Sequence, residues 1–97
     1  MLDKLKAADF ETHADSELIV QFGELRQGAE ILSVNRRPRS SDDHRQPFSV
    51  TIRSGPTDRY WPQGIYTLVH PRHGELSLFM VPIGPDDKGM CYEINFA

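Results

Sequence analysis

Short stretches of alternating apolar and polar residues, separated by glycines and prolines, are the feature that most limits how this chain can fold. Residues 48–54 show the alternation most clearly, as in a strand with one buried face. Seven glycines and seven prolines among 97 residues are typical of short strands joined by tight turns. Gly23 and Gly28 bracket the first connection, which we expect to be a hairpin loop. The pattern predicts six strands, at residues 17–22, 29–37, 48–54, 65–70, 75–81 and 90–96.

The second predicted strand has apolar side chains at both odd and even positions. A regular alternation places Leu32 and Val34 on one face and Ile31 on the other. Residues 38–47, which follow it, contain no apolar side chain apart from prolines. This composition predicts an exposed, mobile loop between the second and third strands.

The N-terminal residues have helical spacing. Leu2, Leu5 and Ala8 recur every third residue and are followed by Phe10, which predicts a short helix within residues 1–12. A helix of this length is not stable alone in water, so it must pack against the rest of the chain. We expect it to lie as a lid over one end of the sheet.

Two predicted strands, residues 65–70 and 75–81, are apolar on both faces. They are either central strands covered on one side by the helix, or part of an interface between copies of the chain. We expect the first arrangement. The fold class is therefore mostly β: a compact six-stranded antiparallel barrel or roll with a short N-terminal helix, forming one domain over residues 1–97.

Charge and hydropathy indicate the cellular compartment of the chain and the partners that it can bind. The net charge is −3, although six arginines against three aspartates give residues 36–59 a charge of +3. Such a chain is a poor general binder of nucleic acid. There is no apolar run of about 18 residues and no signal-peptide pattern, so we expect a cytoplasmic protein with no membrane partner. The single cysteine, Cys91, agrees with a reducing compartment.

No pattern in the sequence points to catalysis. His70 and His73 are three residues apart, but Pro71 and Gly74 favour a hairpin turn over a metal site, and no third ligand is evident. Adjacent acidic residues also fall in predicted turns. Phosphate-binding loops, nucleophile elbows and dinucleotide-binding motifs do not occur. We therefore expect a non-catalytic chain that uses no cofactor and no metal.

An arginine-rich and aromatic group is the predicted binding surface. Trp61, in a polar connector, either plugs the barrel or anchors a contact, and a plug is the more common role in a small core. We expect another protein as the partner, in an accessory or assembly role. The alternatives are an oligonucleotide-binding barrel, a small enzyme of unrecognised type and a homo-oligomer. The predicted contact residues are Arg36, Arg37, Arg53, Arg59, Tyr60 and Trp61.

Several short motifs are spread over nearly the whole chain. They are Leu5-x-x-x-Asp9-Phe10, Pro47-Phe48-Ser49, Pro62-Gln63-Gly64-Ile65-Tyr66 with His70-Pro71, Leu78-Phe79-Met80-Val81-Pro82-Ile83-Gly84-Pro85, and Met90-x-Tyr92-Glu93. With these motifs the chain resembles a family of short bacterial proteins of unknown function. The resemblance implies a small β-rich fold, a bacterial source and a link to phage-tail-like systems. It implies no established activity, and the chain departs from the family pattern at residues 39–46.

Overall fold

A computed structural model describes residues 5–11, 18–38, 47–55 and 60–96. Within these residues all strand pairs are antiparallel, and six strands close into a barrel. The predicted six-stranded antiparallel barrel with a short N-terminal helix is confirmed. The elements are α1 (Ala7–Glu11), β1 (Leu18–Phe22), β2 (Leu25–Arg36), β3 (Phe48–Ser54), β4 (Gly64–His70), β5 (Gly74–Pro85) and β6 (Met90–Phe96). Around the barrel the strands follow the order β1-β2-β3-β6-β5-β4.

Two long strands form the corners of the barrel. Residues 25–29 of β2 pair with β1, and residues 29–36 pair with β3. In the same way, residues 74–80 of β5 pair with β4, and residues 80–85 pair with β6. The barrel therefore has two four-stranded sides. We call the side formed by β1, β4 and the first halves of β2 and β5 the first sheet, and the opposite side the second sheet.

A bulge in β2 shifts the faces of its side chains. The register between β2 and β3 is irregular between Ile31 and Ser33, and Leu32 is the extra residue there. Ile31 is buried, Leu32 is exposed and Val34 packs against the core. The prediction that Leu32 and Val34 share a face is therefore wrong. One inserted residue moves every following side chain to the other face of a strand.

The first hairpin is tighter than the glycine positions predicted. Gly23 and Glu24 form the turn, with Gly23 at a φ of +62°, and β2 begins at Leu25. Gly28 is not part of the loop, so that prediction is wrong; it lies within β2, opposite Ile19 of β1. A two-residue turn with a glycine at positive φ matches the twist of antiparallel strands.

An aromatic cluster closes one end of the barrel. Phe10 of α1 is fully buried, and its ring centroid lies 6.0 Å from Phe48, 5.3 Å from Phe96 and 5.3 Å from His70. A helix of five residues cannot be stable alone. Its stability therefore comes from the burial of Phe10, which confirms the predicted lid over one end.

His70 is a structural histidine that joins α1 to the turn between β4 and β5. Its Nδ1 accepts hydrogen bonds from the backbone N–H groups of Arg72, at 3.0 Å, and His73, at 3.1 Å. Its Nε2 must then carry the proton, which it donates to the carbonyl oxygen of Asp9 at 2.7 Å. The ring is buried and neutral, in agreement with the predicted hairpin turn.

Asp9 caps α1 and contacts the same turn. Its Oδ2 accepts the Lys6 N–H at 2.8 Å, the return bond of a capping box. Its Oδ1 lies 3.2 Å from His73 Nε2, close enough for an ion pair but not aligned as a hydrogen bond. Burial favours a higher pKa for the Asp9 carboxyl. The Lys6 hydrogen bond and the nearby His73 and Arg72 outweigh burial, so its pKa is lowered.

A second aromatic cluster closes the opposite end. Trp61 stacks on Phe22, with ring centroids 5.4 Å apart and an interplanar angle of 4°. The backbone N–H of Trp61 donates to the Tyr92 hydroxyl at 3.0 Å, and the Tyr66 hydroxyl donates to the Pro62 carbonyl at 2.5 Å. Trp61 and Pro62, just before β4, are thereby fixed across the barrel end.

The helix does not cover the strands that are apolar on both faces. α1 contacts β2 and β3 and closes the barrel end. Ile65 of β4 and Phe79 of β5 are exposed by 70% and 52% on the outer surface. The expectation that the helix covers one side of these strands is therefore wrong, because five residues reach only the aromatic cluster at the end.

The predicted loop at residues 38–47 lies almost wholly outside the described residues. The chain at its two ends is held together by the Arg37 N–H, which donates to the Pro47 carbonyl at 2.9 Å. Within the described ranges, no helix has the length and apolar character needed to cross a bilayer.

Replacing Phe10 with alanine should lower the free energy of unfolding by about 3–5 kcal/mol, because it removes the centre of the aromatic cluster. The same change at the exposed Phe79 should cost only about 1 kcal/mol. Urea denaturation of both variants and the wild type measures the difference. Equal losses would show that Phe10 does not hold α1 in the barrel end.

Replacing Asp9 with asparagine should reduce the acid sensitivity of the fold. A carboxyl with a lowered pKa stabilises the fold above its unfolded pKa, and this contribution disappears as pH falls through the folded value. At pH ~7 the free energy of unfolding of Asp9→Asn should therefore be about 1 kcal/mol lower than that of the wild type. Between pH ~5 and pH ~2 the variant should lose less stability than the wild type does. Denaturation across that range tests this. Asp87→Asn, in an exposed turn, is the control, and an equal change in both variants would contradict the assignment.

Candidate functional site: an exposed apolar sheet face

Two of the predicted contact arginines lie at the end of the barrel that α1 closes. Arg36, the last residue of β2, forms an ion pair with Glu11 of α1. Arg37 follows it and donates a hydrogen bond to the side-chain oxygen of Asn95 on β6. Both arginines therefore help to join α1, β2 and β6 at this end.

Arg53 lies on the outer face of the second sheet, where its side chain is only 15% exposed. Its guanidinium forms ion pairs with Asp86 and Glu30, and these hydrogen bonds raise its pKa. Asp86 also accepts the backbone N–H groups of Lys88 and Gly89, which lowers the pKa of its carboxyl, as does Arg53. The three side chains clamp the β5–β6 turn to β2 and β3.

The predicted aromatic pair divides into one packed and one exposed side chain. Trp61 is half-buried against Phe22, which agrees with a plug at the barrel end. Tyr60 is 62% exposed beside it. Arg59 lies outside the described residues.

The fold does not bring all the predicted contact residues together. Arg36 lies opposite Phe48, and Arg53 is five residues farther along β3, a separation of about 17 Å at a rise of about 3.3 Å per residue. Arg53 and Tyr60 approach the end closed by Trp61, whereas Arg36 and Arg37 lie at the other end. The binding role of these residues stays a prediction.

A different surface has the features of a binding site: the outer face of the first sheet. Ile65 and Phe79 lie directly opposite each other on β4 and β5, and both point away from the core. In the next apolar row, Ile19 of β1 lies opposite Val69 of β4. We call Ile19, Ile65, Val69 and Phe79, with the smaller polar residues between them, the apolar face.

Strict alternation along β5 produces this exposure. Leu76, Leu78 and Met80 point into the core and are buried, so Phe79 between them must point outward. A large apolar side chain at such a position does not stabilise the barrel interior. The sequence indicates this exposure, because β4 and β5 have apolar residues on both faces. An interface between copies of the chain was the alternative interpretation of that pattern.

Charge is confined to the margins of the apolar face. Among the described outward positions, Gln21, Thr67 and Ser77 form the neutral row between the two apolar rows. Arg26 on β2 and Glu75 on β5 lie on the two marginal strands, both exposed. The face therefore combines an apolar and neutral centre with opposite charges at its two edges, as in a protein contact surface with a polar rim.

Cys91 and Tyr92 lie on β6, in the second sheet and not on the apolar face. Burial raises the pKa of the Cys91 thiol, and the nearby charge of Asp86 adds to this, so the thiol is protonated at neutral pH. Burial likewise raises the pKa of the Tyr92 hydroxyl. Across the described ranges, no group of three or more His, Cys, Asp or Glu side chains could hold a metal ion.

Comparison with known proteins identifies the family of the chain. A family model described as a domain of unknown function, DUF6916, matches residues 5–96. No curated protein and no solved structure matches the chain. The resemblance to a β-rich family of unknown function, inferred from the sequence motifs, is thereby confirmed, and the chain belongs to the DUF6916 family.

Proposed function

We propose that this chain is a non-catalytic protein-binding domain, an accessory or assembly component that contacts its partner through the apolar face. The observation that carries the proposal is the exposed pair of Ile65 and Phe79 at the centre of a neutral sheet surface. Contiguous exposed apolar side chains with a polar rim are typical of interaction sites in soluble proteins.

The exposed pair can contribute useful binding energy. Fully burying a large apolar side chain stabilises an association by about 1.5–3 kcal/mol, and more than half of each of these side chains is accessible. Covering both would therefore contribute about 3 kcal/mol. Neither side chain has a comparable role within the barrel, so a partner surface explains them better than the stability of the fold does.

The barrel also presents this face rigidly. β4 and β5 pair without irregularity from Gly64 and Met80 to His70 and Gly74. Aromatic clusters around Phe10 and Trp61 close both barrel ends. A partner would therefore order few side chains on binding, which lowers the entropic cost of association.

The oligonucleotide-binding alternative has less support. A phosphate-binding surface needs accessible cations beside stacking aromatic side chains. Here Arg36 contacts Glu11, Arg53 contacts Glu30 and Asp86, and Trp61 packs against the core. Tyr60 remains exposed, so a contact at that barrel end is the competing location for protein binding.

Substituting both Ile65 and Phe79 with serine should weaken partner binding without unfolding the chain. The tagged wild type is used to capture proteins from its source cells, and each captured protein is purified and titrated against the variants. We expect the double variant to bind at least about tenfold more weakly, since each lost side chain is a central apolar contact.

Two controls locate the surface. Leu32→Ser removes an exposed apolar side chain from the second sheet and should leave binding unchanged. Tyr60→Ala tests the barrel end predicted from the sequence. Binding that is lost in Tyr60→Ala and retained in the double variant would place the site at that end. The proposal is wrong if neither the chain itself nor any purified protein binds in a manner that depends on Ile65 and Phe79.

A further inference from the structure

We infer that the partner of the apolar face is a second copy of this chain, joined through a two-fold axis that runs parallel to the strands. The inference rests on the proposed function, since it assigns an occupant to the same face. Two copies related by a two-fold axis must present the same patch to each other, so the patch has to be self-complementary.

The charge pattern of the first sheet meets that condition. Its strand order is β2-β1-β4-β5, and Arg26 lies outward on the β2 margin, whereas Glu75 lies outward on the β5 margin. Between these margins the described outward side chains are neutral. A face with one positive and one negative edge can pair with its own copy, whereas two edges of the same sign would repel.

The positions of these charges select the direction of the axis. An axis parallel to the strands and between β1 and β4 lays β2 of one copy over β5 of the other. Arg26 then lies opposite the row of Ser77, two residues from Glu75, and the same contact forms at both edges. An axis perpendicular to the strands would instead lay β2 over β2 and separate the opposite charges.

The accessible area indicates a weak dimer. Ile65, Phe79 and Ile19 are exposed by 70%, 52% and 39%. At about 200 Å² for a fully exposed large apolar side chain, these fractions correspond to roughly 300 Å² of apolar surface. A standard interface buries about 800 Å² per partner, so the polar residues of the face must supply the remainder. We therefore expect association that depends on concentration.

Sedimentation velocity of the pure, full-length chain tests the inference. From about 10 µM to about 1 mM, the weight-average mass should rise from the 11.1 kDa of one chain toward twice that value. The Ile65→Ser and Phe79→Ser double variant should remain monomeric throughout this range. Leu32→Ser should associate like the wild type, and circular dichroism verifies that each variant is folded.

A charge exchange tests the arrangement of the two copies. Arg26→Glu and Glu75→Arg should each weaken association by roughly threefold to tenfold, because each change acts at both edges. The two changes together exchange the charges of the two margins and should restore association. Failure of the combined variant to recover, when both single changes weaken the dimer, would overturn the parallel axis.

Other outcomes separate this inference from the proposed function. A wild-type chain that stays monomeric at about 1 mM overturns the second copy as partner. The proposed function then survives if another purified protein binds in a manner that depends on Ile65 and Phe79. A dimer that persists in the serine double variant uses a different surface and overturns the inference.

Discussion

The pairing of β2 and β5 with a different neighbour along each half is the constraint on which the rest of the structure depends. Each of these strands leaves one sheet and joins the other, so six short strands close into a barrel with two distinct sides. Closure gives every strand a neighbour on both sides and removes the free edges of an open sheet. It also leaves two open ends, which Phe10 and Trp61 fill.

The binding proposal follows from this closure. Strand addition by a partner requires a free edge, and entry of a ligand requires an open end. In the described chain both are occupied by its own strands and aromatic side chains. The outer surface remains, and its two sides differ. The second sheet has Arg53 held between Glu30 and Asp86, whereas the first sheet exposes Ile65 and Phe79 in neutral surroundings.

Much of the fold follows from local sequence, since the bounds of β3 and β6 and the inward residues of β5 match the alternation of apolar and polar side chains. The structure differs from the predictions at residues whose conformation depends on tertiary structure. The bulge at Leu32 belongs to the corner of β2, and no local pattern distinguishes it from regular alternation. Gly28 resembles a loop residue but lies in a strand, because the turn needs only Gly23 and Glu24.

The site was harder to predict than the fold. Arginine and aromatic residues close in sequence suggested one surface. In the fold, however, Arg36 and Arg53 lie near opposite ends of β3. The apolar face is instead assembled from β1, β4 and β5, and its exposure depends on how far α1 reaches. A helix restricted to Ala7–Glu11 closes an end and leaves the first sheet uncovered.

The most direct measurement of the central claim is an amide chemical-shift dilution series on the isotopically labelled chain. If the apolar face binds a second copy, residues of β1, β4 and the first halves of β2 and β5 should shift with concentration, while those of β3 and β6 should not. Shifts confined to the second sheet or to Tyr60 and its neighbours would contradict the account.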